Sequence, residues 1–92
     1  MRFDALEASD HVLDKIESKH GVTFEECEEA VYSAGHHVRR GRNGLYKLFG
    51  RSEAGRYILV ILAPRGDGIF AIVTAREMTE SERHLYLRAS GG

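Results

Sequence analysis

The chain has 92 residues, 42% hydrophobic and 29% charged, with one cysteine and a formal net charge of −1. That length suits one small domain with one modest core, so the expectation is a single domain over residues 1–92. No apolar run approaches the ~18 residues of a membrane span, the start "MRFDALEASDH" lacks a signal-peptide core, and one cysteine forms no internal disulfide; the expected location is the cytoplasm.

The net charge conceals segregation. Residues 1–35 carry three Lys/Arg and nine Asp/Glu, residues 36–76 carry eight and two, and residues 77–92 carry two and three. A basic middle segment is a footprint for phosphate if its charges share one face, and a solvated surface if they do not.

Residues 9–19, "SDHVLDKIESK", predict a helix with Ser9 as N-cap, an apolar stripe of Val12, Leu13 and Ile16, and Gly21 as the stop. Residues 23–34, "TFEECEEAVYSA", predict a second helix opened by a Thr23–Glu26 capping box and closed by Gly35. The two make a helical hairpin around "KHGV". The period then changes. "HHVRR" (36–40) and "LYKLFGR" (45–51) predict strands around the Asn-Gly turn of "GRNG" (41–44). "SEAG" (52–55) is a turn, and the apolar "RYILVILA" (56–63) predicts a central strand covered on both faces. Pro64 and "RGDG" are expected to break it before a last strand, "IFAIVTA" (69–75). Thr79 and Glu82 form another capping box ahead of a closing helix, and "ASGG" (89–92) is expected to fray. The predicted class is α+β: an N-terminal helical hairpin and a C-terminal helix on an antiparallel meander of three to four strands.

Cys27 lies on the apolar stripe of the second helix and is expected to be a buried small hydrophobe. The five histidines form no Cys/His framework, so no metal and no cofactor is expected. His20, at a helix end, is either a carbonyl-capping residue or a proton-moving group. Neither "GRNG" nor "RGDG" matches a phosphate loop. The arginines carry the stronger signal. Arg39, Arg40, Lys47, Arg51, Arg56 and Arg65 lie along the sheet or at its ends. Arg83 and Tyr86 stand three residues apart on one face of the last helix, and Arg76 leaves the last strand nearby. Arginine binds phosphate with a two-pronged fork, and tyrosine or histidine can move a proton. Arg76 has a second reading, as the partner of Glu80 or Glu82 locking helix to strand.

"KHGVTFEE" (19–26), "FGRSEAGRYILVIL" (49–62) and "TAREMTESERHLY" (74–86), in this order and spacing, resemble the BrnT family of toxins from bacterial type II toxin–antitoxin modules. The resemblance spans roughly residues 9–88. It implies a RelE-like fold and metal-independent endoribonuclease activity by attack of a 2′-hydroxyl on the adjacent phosphate. It also implies a partner antitoxin with a ribbon-helix-helix DNA-binding portion. Lys19, His20, Arg76, Arg83 and Tyr86 match family motif positions. His20, Arg76, Arg83 and Tyr86 are the implied catalytic set, with Lys19, Arg39, Arg40, Lys47, Arg51 and Arg65 the basic residues set toward RNA. Three positions depart from the pattern: Leu45, Ala71 and Glu77 stand where the family carries basic residues. Arg51, Arg65 or the Arg39/Arg40 pair are the candidate replacements. Three readings follow: an endoribonuclease toxin, a non-catalytic module binding a protein or nucleic acid on the same fold, and a domain whose arginines are structural.

Overall fold

The structure, a computed structural model, describes residues 2–90. Of the tail expected to fray, Ala89 ends the last helix and Ser90 caps it; residues 91 and 92 lie outside the described residues.

The elements in chain order are β1 (Ala5–Glu7), α1 (Asp10–His20), α2 (Phe24–Val31), β2 (His37–Arg40), β3 (Tyr46–Arg51), β4 (Tyr57–Gly66), β5 (Ile69–Glu77) and α3 (Glu80–Ala89). The helix starts follow local grammar. The Ser9 hydroxyl accepts from the Val12 amide, and Thr23–Glu26 and Thr79–Glu82 are both complete capping boxes. Gly21 stops α1 in the left-handed conformation, φ 63°, and its amide donates back to the Glu17 and Ile16 carbonyls. α2 ends at Val31, three residues short of the expected end. The Ser33 hydroxyl donates to the Ala30 carbonyl at 2.7 Å, a local bond that competes with another helical turn.

The sheet has five strands in the order β1-β5-β4-β3-β2, one more than the upper bound expected. β2 to β5 form the antiparallel meander, and β1 adds to its edge parallel to β5, pairing Leu6 with Phe70. The sheet is therefore mixed. Three residues leave little periodicity to read, and their parallel partner lies more than sixty positions away. Pro64 does not end β4, which runs on to Gly66. β3 pairs with β4 only as far as Leu62, so beyond it one side of β4 is unpaired and tolerates a residue without an amide hydrogen.

β4 is central, and alternation along it serves two cores. Ile58, Val60 and Leu62, all fully buried, face α1 and α2 with Ile16, Val22, Cys27 and Val31. Leu59 faces α3 with Phe49, Met78 and Tyr86, flanked by Tyr57 and Ile61. Each buried aliphatic side chain contributes about 1.5–3 kcal/mol by leaving water. Cys27 belongs to the first core as expected; burial, reinforced by Glu26 and Glu28, pushes its thiol up to about 12.

α2 lies on β3 at Gly50, where a side chain would collide with the Ala30 carbonyl and the Ser33 hydroxyl. Gly50→Ala should therefore destabilise the protein by about 1–3 kcal/mol through overpacking, read as a lowered urea midpoint with an unchanged slope.

Candidate functional site

Strand alternation sorts the basic residues. Phe49 on β3 belongs to the α3-side core, so Lys47 and Arg51 share its face. On β2, His37 lies beside Phe49, ring centroids 6.1 Å apart, and Arg39 follows on the same face. Arg39 pairs directly across from Lys47. Two like charges placed opposite each other disfavour the sheet, and neither has an acidic partner among the described residues.

At the end of this face a cluster forms on Tyr57, the first residue of β4. The Arg83 guanidinium carbon lies 4.4 Å from the centre of the Tyr57 ring, and that of Arg51 lies 4.7 Å from it. Tyr86 meets the same ring edge-on, at 6.0 Å and 73°. Arg83 is held there by the first turn of α3, its amide donating to the Thr79 carbonyl. Arg51 is steadied by donation from Nη2 to the Gly55 carbonyl at 3.3 Å. Cation–ring contacts of this kind contribute about 0.5–1 kcal/mol each where exposed. Neither guanidinium has a carboxylate partner among the described residues, so both forks remain open to an anion. Tyr86 is only 3% exposed, and burial raises its pKa, which holds the phenol protonated.

Arg76 is placed differently. It donates from Nη1 and Nη2 to the two Glu82 oxygens at 2.8 and 2.9 Å, and from Nη1 to the Glu77 carbonyl. Its fork is filled. Of its two readings, the one that locks helix to strand, through Glu82 rather than Glu80, is the one the geometry builds. Glu82 also accepts from the Thr79 amide at 2.8 Å, so the capping box and the ion pair share one carboxylate.

Arg56 is the second clamp. Its Nη1 donates to both Glu26 oxygens and to the Gly21 carbonyl, and its Nε donates to Glu77 at 3.1 Å. Glu77, where the resemblance implies a basic residue, thus has an arginine partner. Arg56, Tyr57, Glu77, Met78 and Arg83 line a small cavity of about 270 Å3 beside the cluster.

The other expected residues divide. His20 is exposed at the end of α1, next to the carbonyl that Arg56 binds, and its ring makes no hydrogen bond among the described residues; the capping role belongs to Gly21. Lys19 lies on the outer surface of α1 with His11 and Lys15. Arg40 and Lys47 line a cleft of about 610 Å3 with Arg42 and Ile61. Arg65 stands at the opposite end of β4 from Tyr57, 3.8 Å from Glu7. Tyr57 itself was hidden from the sequence reading, because in "RYILVILA" it looks like one more core residue.

No protein-family model matches this chain, and no curated protein matches it either. Among solved structures, the chain is similar to the 1.1 Å crystal structure of the Brucella abortus ribonuclease toxin BrnT. The TM-score is 0.69 at 17% sequence identity, covering 83% of this chain and 97% of that one. This chain has the BrnT fold. The BrnT fold accounts for the helical hairpin, the meander and the closing helix as one arrangement, in agreement with the expected class.

The Arg76–Glu82 pair holds Glu82 down from 4.5 to about 2, first through the side-chain hydrogen bond from Arg76. A depressed carboxylate contributes stability that is present above its unfolded pKa and is lost as pH falls through the folded one. Glu82→Gln should therefore be less stable at pH 7, and should lose less stability than the parent between pH 4.5 and about 2, measured by urea midpoints across that window.

Proposed function

We propose that this chain is an endoribonuclease toxin of a type II toxin–antitoxin module, acting in the cytoplasm and held silent by a cognate antitoxin. The observation that carries the reading is the convergence of Arg51 and Arg83 on Tyr57, with no carboxylate partner for either guanidinium among the described residues. The fold it shares with a protein described as a ribonuclease toxin supports it.

In the proposed reaction the 2′-oxygen of one nucleotide attacks the adjacent phosphorus in line. The O2′–P bond forms as the P–O5′ bond breaks, leaving a 2′,3′-cyclic phosphate and a 5′-hydroxyl. One group takes the 2′ proton and another gives a proton to the departing 5′-oxygen. Arg83 and Arg51 hold the non-bridging oxygens as charge gathers there. Proton transfer falls to His20 and to a tyrosine hydroxyl of the cluster, Tyr86 or its less buried neighbour Tyr57. Arg76 acts in this scheme through Glu82, by fixing the helix that carries Arg83. Lys47 and Arg39 extend the positive face along β3 and β2 for the rest of the strand; Arg40 alternates to the other face and meets Lys47 only at the cleft at the strand ends, and Lys19 and Arg65 lie outside that track. The scheme calls for no cofactor. The antitoxin is expected to be of the ribbon-helix-helix type.

Expression of the chain alone should arrest growth and fragment cellular RNA. Arg83→Ala should lower cleavage about 10²- to 10³-fold while lowering the melting temperature by only a few degrees, and Arg65→Ala should leave cleavage intact. Tyr57→Phe compared with Tyr86→Phe identifies the proton-moving hydroxyl. Folded, soluble protein that leaves RNA whole would falsify the nuclease reading.

A second reading, a non-catalytic module on the same fold, is favoured by one observation: Glu77, in the place of a family lysine, is occupied by Arg56. That reading expects salt-dependent RNA binding without cleavage, or, for its protein-binding form, no RNA affinity at all.

A further inference from the structure

The sequence makes "SEAG" a turn and sets the α2 glutamates off the apolar stripe of their helix. In the structure the two meet across a cavity of about 500 Å3, walled by Glu29, Tyr32, Ser33, Arg51, Ser52 and Glu53. Tyr32 caps the end of α2 and stands 50% exposed at this cavity. An aromatic ring left half in water adds little to the core and offers a flat apolar face. Glu29 reaches across the cavity, where its Oε1 accepts from the Glu53 amide at 3.1 Å. That bond fixes the carboxylate, and its Oε2 has no partner among the described residues. The Ser33 hydroxyl is already committed: it donates to the Ala30 carbonyl and accepts from the Arg51 amide. It is wall rather than reader. Arg51 joins this cavity to the phosphate cluster, since its guanidinium lies over Tyr57 beside that of Arg83.

We propose that this cavity is a base-recognition pocket, taking a guanine next to the phosphate held by Arg51 and Arg83. It rests on the RNA-binding part of the function proposed above. Stacking on Tyr32 supplies sequence-tolerant affinity, as aromatic side chains do for unstacked bases. The fixed Glu29 carboxylate supplies discrimination. Its Oε2 is open and its Oε1 keeps a second lone pair beside the bond from the Glu53 amide, which gives two adjacent acceptors, and among the four bases only guanine offers two adjacent donors, N1–H and N2–H, on its Watson–Crick edge. Adenine and cytosine set one donor beside an acceptor whose lone pair would face the carboxylate, and uracil flanks its one donor with acceptors. A site built for paired donors rejects bases that leave its acceptors unmet. The acidic walls repel the backbone, so the base enters edge-first with its phosphate on the Arg51 side.

The test is a fluorescence-anisotropy titration of the full chain with 2′-O-methyl hexanucleotides, which carry no attacking hydroxyl. One central position is varied in a uridine background. The guanine oligonucleotide should bind about tenfold more tightly than the other three. Glu29→Gln, which keeps the acceptor for the Glu53 amide, should reduce that advantage to about twofold or less without weakening all-uridine binding. Tyr32→Ala should weaken all four, and Tyr32→Phe should not. Equal binding of the four, a guanine advantage that survives Glu29→Gln, or no oligonucleotide binding at all would each overturn the pocket. The readout is independent of cleavage. Guanine preference in a protein that leaves RNA whole removes the nuclease and keeps the pocket, and cleavage without base preference does the reverse.

Discussion

Alternation along β4 is the constraint on which the rest depends. Because Ile58, Val60 and Leu62 point one way and Tyr57, Leu59 and Ile61 the other, the strand needs a cover on each face. The helical hairpin supplies one cover and α3 the other. The acidic helices therefore lie over one face, and the strand cations Arg39, Lys47 and Arg51 lie on the opposite one. A sheet with cations scattered over both faces would argue for a merely solvated surface. Here Arg56 lies toward the hairpin but is neutralised by Glu26, and the strand cations without a carboxylate partner among the described residues gather on the face α3 leaves partly open, with Arg40, which alternates with Arg39, as an exception.

Not every arginine on this scaffold is available to a ligand. Arg56 and Arg76 each meet a carboxylate that already closes a capping box, Glu26 and Glu82. The two boxes are alike in sequence and alike in use: each fixes a helix start, then offers its carboxylate to an arginine at the β4–β5 end of the sheet. Half-buried charges in such pairs have a strong preference for staying paired, since breaking one leaves the other without compensation. Arg51 and Arg83 meet an aromatic ring instead. A ring orients a guanidinium without neutralising it, and that difference separates the arginines clamped to carboxylates from those left open to an anion.

What the sequence made legible follows the range of the interactions involved. Caps, the Asn-Gly turn and the apolar run of β4 are set by residues within a few positions of one another, and all three appear as expected. β1 depends on pairing with a strand at the other end of the chain and left almost no local trace. Tyr57 escaped for another reason: its neighbours are all core residues, and only the end of the strand lets its ring meet Arg51 and Arg83. Arg76 carried two readings because spacing alone places it near both Glu82 and Arg83; the geometry of the fork separates them. The α2 glutamates looked uniform, yet Glu26, Glu28 and Glu29 sit in different surroundings once the β3–β4 turn folds against the helix.

Glu77 illustrates how the surrounding structure absorbs a carboxylate beside two open guanidiniums. A carboxylate near the two open guanidiniums opposes any anion they would hold. Here that charge is turned to Arg56, across the small cavity that both line with Arg83, and Glu77 pairs in register with Ile58 while Arg76 pairs with Leu59. Strand alternation thus separates two neighbouring residues of opposite charge. Glu77 and Arg56 tie the end of β5 to the start of β4, one residue before Tyr57. The position that lacks the expected positive charge instead braces the backbone beneath the ring on which the two open guanidiniums rest.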